Sequence, residues 1–194
     1  MKLDLKIISD LAVSFTPKDY LRVTPMVHAA TPLGTGHGLT RFASPMKAFQ
    51  VLYLGEDLAT AVAETLVRDR FQDKARRRLT EAEAATWGAT QITAKAPLIL
   101  IDLRTTGLLR LGVSTEAARG KAQGQGRKLS QAVYDQTNAD GLLYLSRLTG
   151  RTCVCVYDRA LPGPLEPTPV IELVRLAGFV AALRELNVEV LATP

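Results

Sequence analysis

Several short stretches of the chain either alternate apolar with polar residues or are continuously apolar, and both patterns predict β-strands. The run in 97–103 is almost wholly apolar, as is typical of a strand buried on both faces of a sheet. The predicted strands are 20–24, 49–54, 97–103, 141–145, 151–158 and a terminal strand in 187–192.

Helical periodicity is clearest after the second of these strands. Gly55 ends the strand, and Asp57 is a suitable N-cap for a helix that runs to about Phe71. Further predictions are a short helix or strand in 1–15, a helix and loop excursion in 72–94, helices in 115–120 and 126–137, a linker in 161–169 and an apolar strand or helix in 172–186. Strands outnumber a simple alternation with helices, so the sequence predicts an α+β fold with a mixed sheet.

The composition is that of an ordinary globular protein. With 194 residues, 47% hydrophobic and 22% charged, the chain fits a single domain, 1–194, that needs neither a disulfide nor a metal to bury a core. No run approaches about 18 apolar residues, so no membrane span is predicted. Asp4 and Asp10 interrupt the N-terminus, which therefore does not resemble an export signal. Cys153 and Cys155 point to one face of a strand and indicate reduced core thiols in a cytoplasmic protein.

The net charge of +5 is compatible with nucleic acid, an anionic ligand or an acidic partner protein. Much of the excess is local, in the run KARRR at 74–78, which is typical of an exposed helix face. Aromatic residues make up only 6% of the chain and do not interleave with basic residues, unlike a base-stacking platform.

The helix after Gly55 is apolar around most of its circumference and is therefore predicted to be mostly buried. At 100° per residue its core stripe comprises Leu58, Ala61, Val62, Thr65 and Leu66, and a narrow polar arc comprises Asp57, Thr60, Glu64 and Arg68. Two interpretations of Glu64 are open. It forms an exposed ion pair with Arg68 one turn away, or it is a carboxylate at a cleft wall that stabilises positive charge on a sugar.

Three other residues allow a structural and a functional interpretation. Arg41 follows a glycine-rich loop, where its guanidinium either lies on the surface or meets an anion. Ser146 ends the strand 141–145, and Tyr53 lies within 49–54; their hydroxyls either satisfy local hydrogen bonds or face a ligand. The glycine-rich segment GTGHG, 34–38, is not a dinucleotide-binding fingerprint, because no strand leads into it and no helix follows it. The loop 25–38 is nevertheless long, which favours a function for it.

Four segments of the chain, in their order, resemble the RES-domain family, which is named for its arginine, glutamate and serine. They are YLRV, a glycine-rich loop with TRF, FQVLYLGEDLATAVAETL and ADGLLYLSR. The matched blocks span about 20–158, with 159–194 as a C-terminal extension and 72–94 as an apparent insertion. The resemblance implies a mixed, largely antiparallel sheet flanked by helices, similar to ADP-ribosyltransferase toxins.

The resemblance also implies a site and an activity. Arg41, Glu64 and Ser146 take the naming positions, Tyr53 matches an active-site tyrosine, and Arg22 matches a second frequent arginine. The family is typified by toxins of toxin–antitoxin pairs that destroy NAD+. By this resemblance Glu64 stabilises the ribosyl cation, Arg41 and Arg22 hold the pyrophosphate, Tyr53 borders the nicotinamide, and Ser146 bonds the ribose or positions the ring.

The implied partners are NAD+ as substrate and an antitoxin with a helix-turn-helix domain, with DNA reached only through that antitoxin. A homodimer within a toxin–antitoxin complex is expected, and neither a cofactor nor a metal. Water or phosphate would accept the ADP-ribosyl group. Three alternatives stay open: a nucleic-acid-binding or RNA-cleaving toxin, a protein ADP-ribosyltransferase, and a catalytically silent binding module.

Overall fold

A curled mixed sheet forms the centre of the molecule. The computed structural model describes residues 1–71, 74–161 and 163–192, and within them nine strands make up this sheet. The strands of the chain are β1 Ala12–Phe15, β2 Tyr20–Pro25, β3 Val51–Gly55, β4 Arg77–Thr80, β5 Trp87–Ala94, β6 Leu98–Asp102, β7 Gly141–Leu145, β8 Thr152–Tyr157, β9 Leu165–Pro167, β10 Ile171–Glu172 and β11 Val188–Leu191.

The main sheet has the order β1-β6-β7-β8-β3-β2-β5-β10, with β9 also paired to β5. Strands β6 and β7 run parallel, and the other pairs of this sheet are antiparallel. Strands β4 and β11 form a separate parallel pair. The predicted α+β class with a mixed, largely antiparallel sheet is therefore confirmed.

Helices cover the sheet and its ends. They are α1 Leu5–Leu11, α2 Leu58–Val62, α3 Arg68–Arg70, α4 Glu81–Ala85, α5 Gly107–Arg110, α6 Glu116–Arg119, α7 Gly124–Gln136 and α8 Phe179–Glu185. A π-helical turn, Ala63–Val67, joins α2 to α3, so these three pieces form one continuous helix. None of the helices in the described parts of the chain is long and apolar enough to cross a membrane.

Alternation along the central strands separates two layers of core. In β3, Val51 and Tyr53 face a cluster formed with α6 and α7, whereas Leu52 and Leu54 face a second cluster on the other side of the sheet. A third cluster lies beneath the α2–α3 helix and α8; it includes Val62, Leu66, Phe71, Leu173 and Leu183. The α2–α3 helix is thereby fixed against both the sheet and the C-terminal helix.

The sheet opens between β2 and β3. These strands pair at Leu21 and Gly55, and their register extends no further, although β2 continues along β5 to Pro25. Beyond this point a bridge from Gly36 reaches Val51 on β3. The long loop that connects β2 to β3 therefore enters the gap that the diverging strands leave.

Three predictions about elements were wrong. The segment 72–94 contains β4, α4 and the eight-residue β5, which pairs with β2 inside the sheet; residues 72–73 lie outside the described part. The supposed linker 161–169 contributes β9, although Pro162 is not described. In the KARRR run, Arg77 and Arg78 belong to a strand and not to a helix face. The predicted strands 20–24, 141–145 and 151–158 are confirmed within one residue at either end.

Candidate active site

A cleft opens where β2 and β3 diverge, between the α2–α3 helix and the loop that precedes β3. Its inner lobe has a volume of about 290 Å³ and is lined by Arg22, Val23, Thr40, Val51, Tyr53, Glu64, Thr65, Arg68 and Tyr144. Its outer lobe has a volume of about 430 Å³ and is lined by Arg22, Val23, Thr24, Pro25, His28, Thr31, Gly34, Thr35, Gly36, Val51, Thr65 and Trp87. The lobes share Arg22, Val23, Val51 and Thr65, so they are adjacent parts of this cleft.

Local sequence explains why the helix lies at this wall. Asp57 caps it, because its Oδ1 accepts a hydrogen bond of 2.8 Å from the N–H of Thr60. Gly55 allows the helix to approach the strand end, since a Cβ there would lie 2.7 Å from the nitrogen of Ala61. The turn that follows is π-helical and carries Glu64 and Thr65 into the cleft. Such turns are rare and occur frequently at functional sites.

The carboxylate of Glu64 is held at both oxygens. Ser146 Oγ donates to Oε1 at 2.7 Å, and Arg68 Nη1 donates to Oε2 at 3.2 Å. The side chains of Glu64 and Arg68 are each 12% exposed. The predicted Glu64–Arg68 pair thus exists, but it is largely buried at the wall of a cleft and is not a surface pair.

Ser146 lies behind Glu64 and outside both lobe linings. Its side chain is buried at 2% exposure, and its oxygen also accepts the backbone N–H groups of Leu148 and Thr149 at 3.2 and 3.3 Å. Because its oxygen already accepts from this turn, its proton is directed to the carboxylate. Ser146 therefore positions Glu64 and does not itself border the inner lobe.

Two tyrosines form aromatic walls of the inner lobe. The Tyr53 hydroxyl accepts the backbone N–H of Phe42 at 2.9 Å and bonds the Thr40 hydroxyl at 2.9 Å. Burial raises the pKa of Tyr53 and of Tyr144 above the usual value for a phenol, so both rings are neutral at physiological pH. The cleft therefore offers two uncharged aromatic groups close to the Glu64 carboxylate.

Arg22 lies at the junction of the two lobes. Its Nη1 donates to the carbonyl of Pro32 at 2.9 Å, and its Nη2 donates to the carbonyl of Gly34 at 2.6 Å. These bonds fix the glycine-rich loop to β2. Burial lowers the pKa of Arg22, but a guanidinium stays charged in proteins. Arg22 is therefore a fixed cation within reach of both lobes.

Arg41 lies elsewhere than its sequence position indicated. It is buried at 3% exposure, and its Nη1 donates to the carbonyl of Gly120 at 2.8 Å. Its side chain also packs on Gly126, where an added Cβ would lie 2.9 Å from Arg41 Cγ. It lines neither lobe. Burial lowers the pKa of Arg41, while the nearby Glu64 carboxylate raises it. Arg41 is therefore not a surface arginine but a buried cation close to Glu64.

Sequence reasoning missed several cleft residues. Helical periodicity predicts Thr65 in the core stripe and Thr60 in the polar arc. In the structure Thr60 is fully buried, with its hydroxyl 3.0 Å from that of Thr149, whereas Thr65 lines both lobes. Tyr144 precedes Ser146 by two residues, so strand alternation could have placed both on one face of the sheet. The two cysteines are buried and unpaired, and the described residues contain no cluster of His, Cys, Asp or Glu that could hold a metal ion.

Comparisons with known proteins agree with this architecture. Over 82 residues, 42% of the chain, the sequence is 37% identical to the probable toxin y4kH of Sinorhizobium fredii (strain NBRC 101917 / NGR234); the match spans 65% of that relative, slightly less than two thirds. A chain of the M. tuberculosis MbcT–MbcA toxin–antitoxin complex has the same fold, with a TM-score of 0.66 and 18% identity over 94% of this chain and 96% of its own. The model of the RES domain matches residues 13–176, and the chain therefore belongs to the RES domain family.

Proposed function

We propose that this chain is the toxin of a toxin–antitoxin pair and that it degrades NAD+ by cleaving the nicotinamide–ribose bond. The observation that carries this proposal is Glu64, whose carboxylate borders an aromatic, cationic cleft and is held at both oxygens. Membership of the RES domain family and the relatives named as toxins give it further support.

The chemistry fits the groups in the inner lobe. The bond between the pyridinium nitrogen and the ribose breaks, its electron pair stays on nitrogen, and nicotinamide leaves as a neutral molecule, so no strong acid is needed. Positive charge then develops on the ribose. The fixed Glu64 carboxylate stabilises that charge, and it does so without the reorganisation that water would require. Glu64 is thus the catalytic residue of this proposal, and Ser146 and Arg68 position it.

The other residues of the site bind the rest of the substrate or compensate the charge of Glu64. Arg22 holds the pyrophosphate by charge-assisted hydrogen bonds from the junction of the lobes. The rings of Tyr53 and Tyr144 border the nicotinamide. Arg41 is not among the residues that line either lobe; its buried charge compensates the charge of Glu64 from within the wall. NAD+ is the substrate, and no additional cofactor enters the scheme.

The acceptor completes the reaction in one of two balanced ways. Water attacks the anomeric carbon and releases a proton, which gives nicotinamide and ADP-ribose. Inorganic phosphate attacks the same carbon, which gives nicotinamide and ADP-ribose 1″-phosphate. We also propose that a helix-turn-helix antitoxin binds the toxin in the cytoplasm, that the toxin is a homodimer within that complex, and that DNA is bound only through the antitoxin.

The test is nicotinamide release from NAD+ by the purified protein, with and without phosphate. Glu64→Gln keeps the shape of the side chain but removes its charge, and we expect release to fall at least about 100-fold, as for the loss of a major electrostatic contact to a transition state. Glu166→Gln is the matched control, because this exposed carboxylate on β9 pairs with the surface residue Lys95.

The possible results separate the alternatives. No release under either condition would overturn the proposal, and RNA cleavage that survives Glu64→Gln would favour the nucleic-acid alternative. Transfer of label from NAD+ to protein, without free ADP-ribose, would indicate a protein ADP-ribosyltransferase. Release by Glu64→Gln at the wild-type rate would remove Glu64 from the catalytic position.

A further inference from the structure

The outer lobe contains aromatic groups that the cleavage step does not use. Trp87 begins β5 opposite Pro25 of β2, and His28 ends the 3₁₀ turn that follows β2. The backbone N–H of Met26 donates to the carbonyl of Thr86 at 2.8 Å, which ties that turn to the start of β5. Trp87, which also packs in part on the cluster beneath α8, and His28 therefore line the same lobe from a fixed backbone.

Both rings carry nitrogen atoms that can form hydrogen bonds with a ligand. Among the described residues, neither the indole N–H of Trp87 nor the imidazole of His28 has a hydrogen-bond partner. The other histidine, His37, is bonded to the side chain of Gln50 and lines neither lobe. A planar heterocycle in this lobe would find an aromatic face and hydrogen-bonding groups at its edge.

The outer lobe is the neighbour of the inner lobe that Glu64 lines, so a long ligand bound at Glu64 would extend into it. Glu64 lines the inner lobe only, and the outer lobe shares Arg22, Val23, Val51 and Thr65 with it. In a dinucleotide the pyrophosphate lies between the two nucleosides, as Arg22 lies between the lobes. A basic pocket on the far side of Arg68 is the other route, but among its described lining residues it shares Arg68 alone with the inner lobe.

We infer that the outer lobe binds the adenylate half of NAD+, with Trp87 stacking on the adenine and His28 contacting the same nucleotide. This inference rests on the proposed function and extends it to the recognition of the substrate. Trp87 and His28 are then specificity-determining residues, remote from the bond that breaks. They distinguish the dinucleotide from nicotinamide mononucleotide, which lacks the adenylate half.

Binding can be measured without catalysis, because Trp87 is the sole tryptophan of the chain. Titration with AMP should quench its fluorescence in a saturable manner, whereas ribose 5-phosphate, which lacks the base, should not. His28→Ala should weaken AMP binding several-fold, and the matched variant His37→Ala should leave it unchanged. Fluorescence that does not respond to AMP, or equal weakening by both histidine variants, would overturn the inference.

Steady-state kinetics provide the second readout. Trp87→Ala should raise the KM for NAD+ by about 5- to 150-fold, the range measured for removal of a base-stacking aromatic residue. It should leave kcat/KM for nicotinamide mononucleotide unchanged, and Trp87→Phe should restore the KM for NAD+. Equal losses with both substrates would show that Trp87 is only structural and would overturn the inference. Saturable AMP quenching without nicotinamide release from either substrate would refute the proposed function while retaining the nucleotide site.

Discussion

The hydrogen bond from Ser146 to Glu64 allows a quantitative prediction. Ser146→Ala removes a 2.7 Å bond from a neutral donor to a carboxylate, and such bonds contribute about 1.5–3 kcal/mol. If that energy is realised in the transition state, kcat for NAD+ cleavage should fall about 10- to 150-fold. KM should change little, because Ser146 lines neither lobe of the cleft. Initial rates of nicotinamide release over a range of NAD+ concentrations measure both constants.

A closely matched serine provides the control. Ser44 is also buried, donates at 2.7 Å to the side chain of Gln131, and accepts two backbone N–H groups, but it lies outside the cleft. Ser44→Ala should therefore lower thermal stability without lowering kcat. It separates the effect of a lost buried hydroxyl from the effect of a displaced carboxylate.

A double-mutant cycle tests whether Ser146 acts through Glu64. In the Glu64→Gln background, Ser146→Ala should have little further effect on kcat, since residues that act as a unit are strongly non-additive. Independent, multiplying losses would refute the reasoning. So would a large rise in KM with kcat preserved, which would place Ser146 in contact with the substrate.

Three further predictions follow from other parts of the structure. Gly55→Ala should cost about 1–3 kcal/mol of stability, because its Cβ would meet the backbone of α2, and should lower Tm by about 2–12 °C. Arg22→Gln should raise the KM for NAD+, whereas Arg41→Gln should mainly lower Tm, since Arg22 lines the cleft and Arg41 is buried in its wall. Backbone and arginine hydrogen bonds lower the pKa of Glu83 from 4.5 to about 2, so the stability that it contributes is present above pH 4.5 and lost as the pH falls towards 2. Glu83→Gln should therefore flatten the acid limb of a plot of Tm against pH.

Each of these predictions has a result that contradicts it. Gly124, at the start of α7, has open space at its Cβ position, so Gly124→Ala should leave Tm unchanged or raise it; an equal loss at both glycines would argue against crowding at Gly55. A raised KM in Arg41→Gln, with Tm preserved, would return Arg41 to substrate binding. An unchanged acid limb in Glu83→Gln would show that other carboxylates determine acid unfolding.

Local pattern predicted the fold where a strand or helix carries its own signal. The strands 20–24 and 141–145 are rich in apolar and aromatic residues, and the Asp57 cap marks the start of its helix. Strand β5 lacks such a signal, because in WGATQITA small residues follow the first position and a charged segment precedes the strand. Its place in the sheet depends on pairing with β2 more than sixty residues earlier. Prolines made 161–169 resemble a linker, but an edge strand such as β9 tolerates proline.

The site was less predictable from residues alone. Periodicity at 100° per residue assumes an unbroken α-helix, and the π turn breaks that phase at Ala63. This explains why Thr65, which follows the break, lines the cleft, whereas Thr60 precedes the break and is buried by its contact with Thr149. The contact between Glu64 and Ser146 joins residues 82 positions apart, which no local pattern can report. Only the family resemblance predicted that Glu64 and Ser146 belong to one site. It did not indicate that Ser146 lies behind Glu64, or that Arg41 is buried in the cleft wall.

The π turn also determines how this helix tolerates change in length. Residues on both sides of the turn, such as Val62 and Phe71, pack on the cluster shared with α8, and the start of the helix also approaches the end of β3. The two halves have different rotational phases across the π turn, and the turn allows both halves to keep this packing. Deletion of one residue within 63–67 would straighten the helix, but it would rotate one half of the helix relative to the other. Either one half would lose its packing or the Glu64 carboxylate would no longer face the cleft. Substitutions on this helix act on single contacts, whereas a change in its length acts on the alignment of the whole cleft wall.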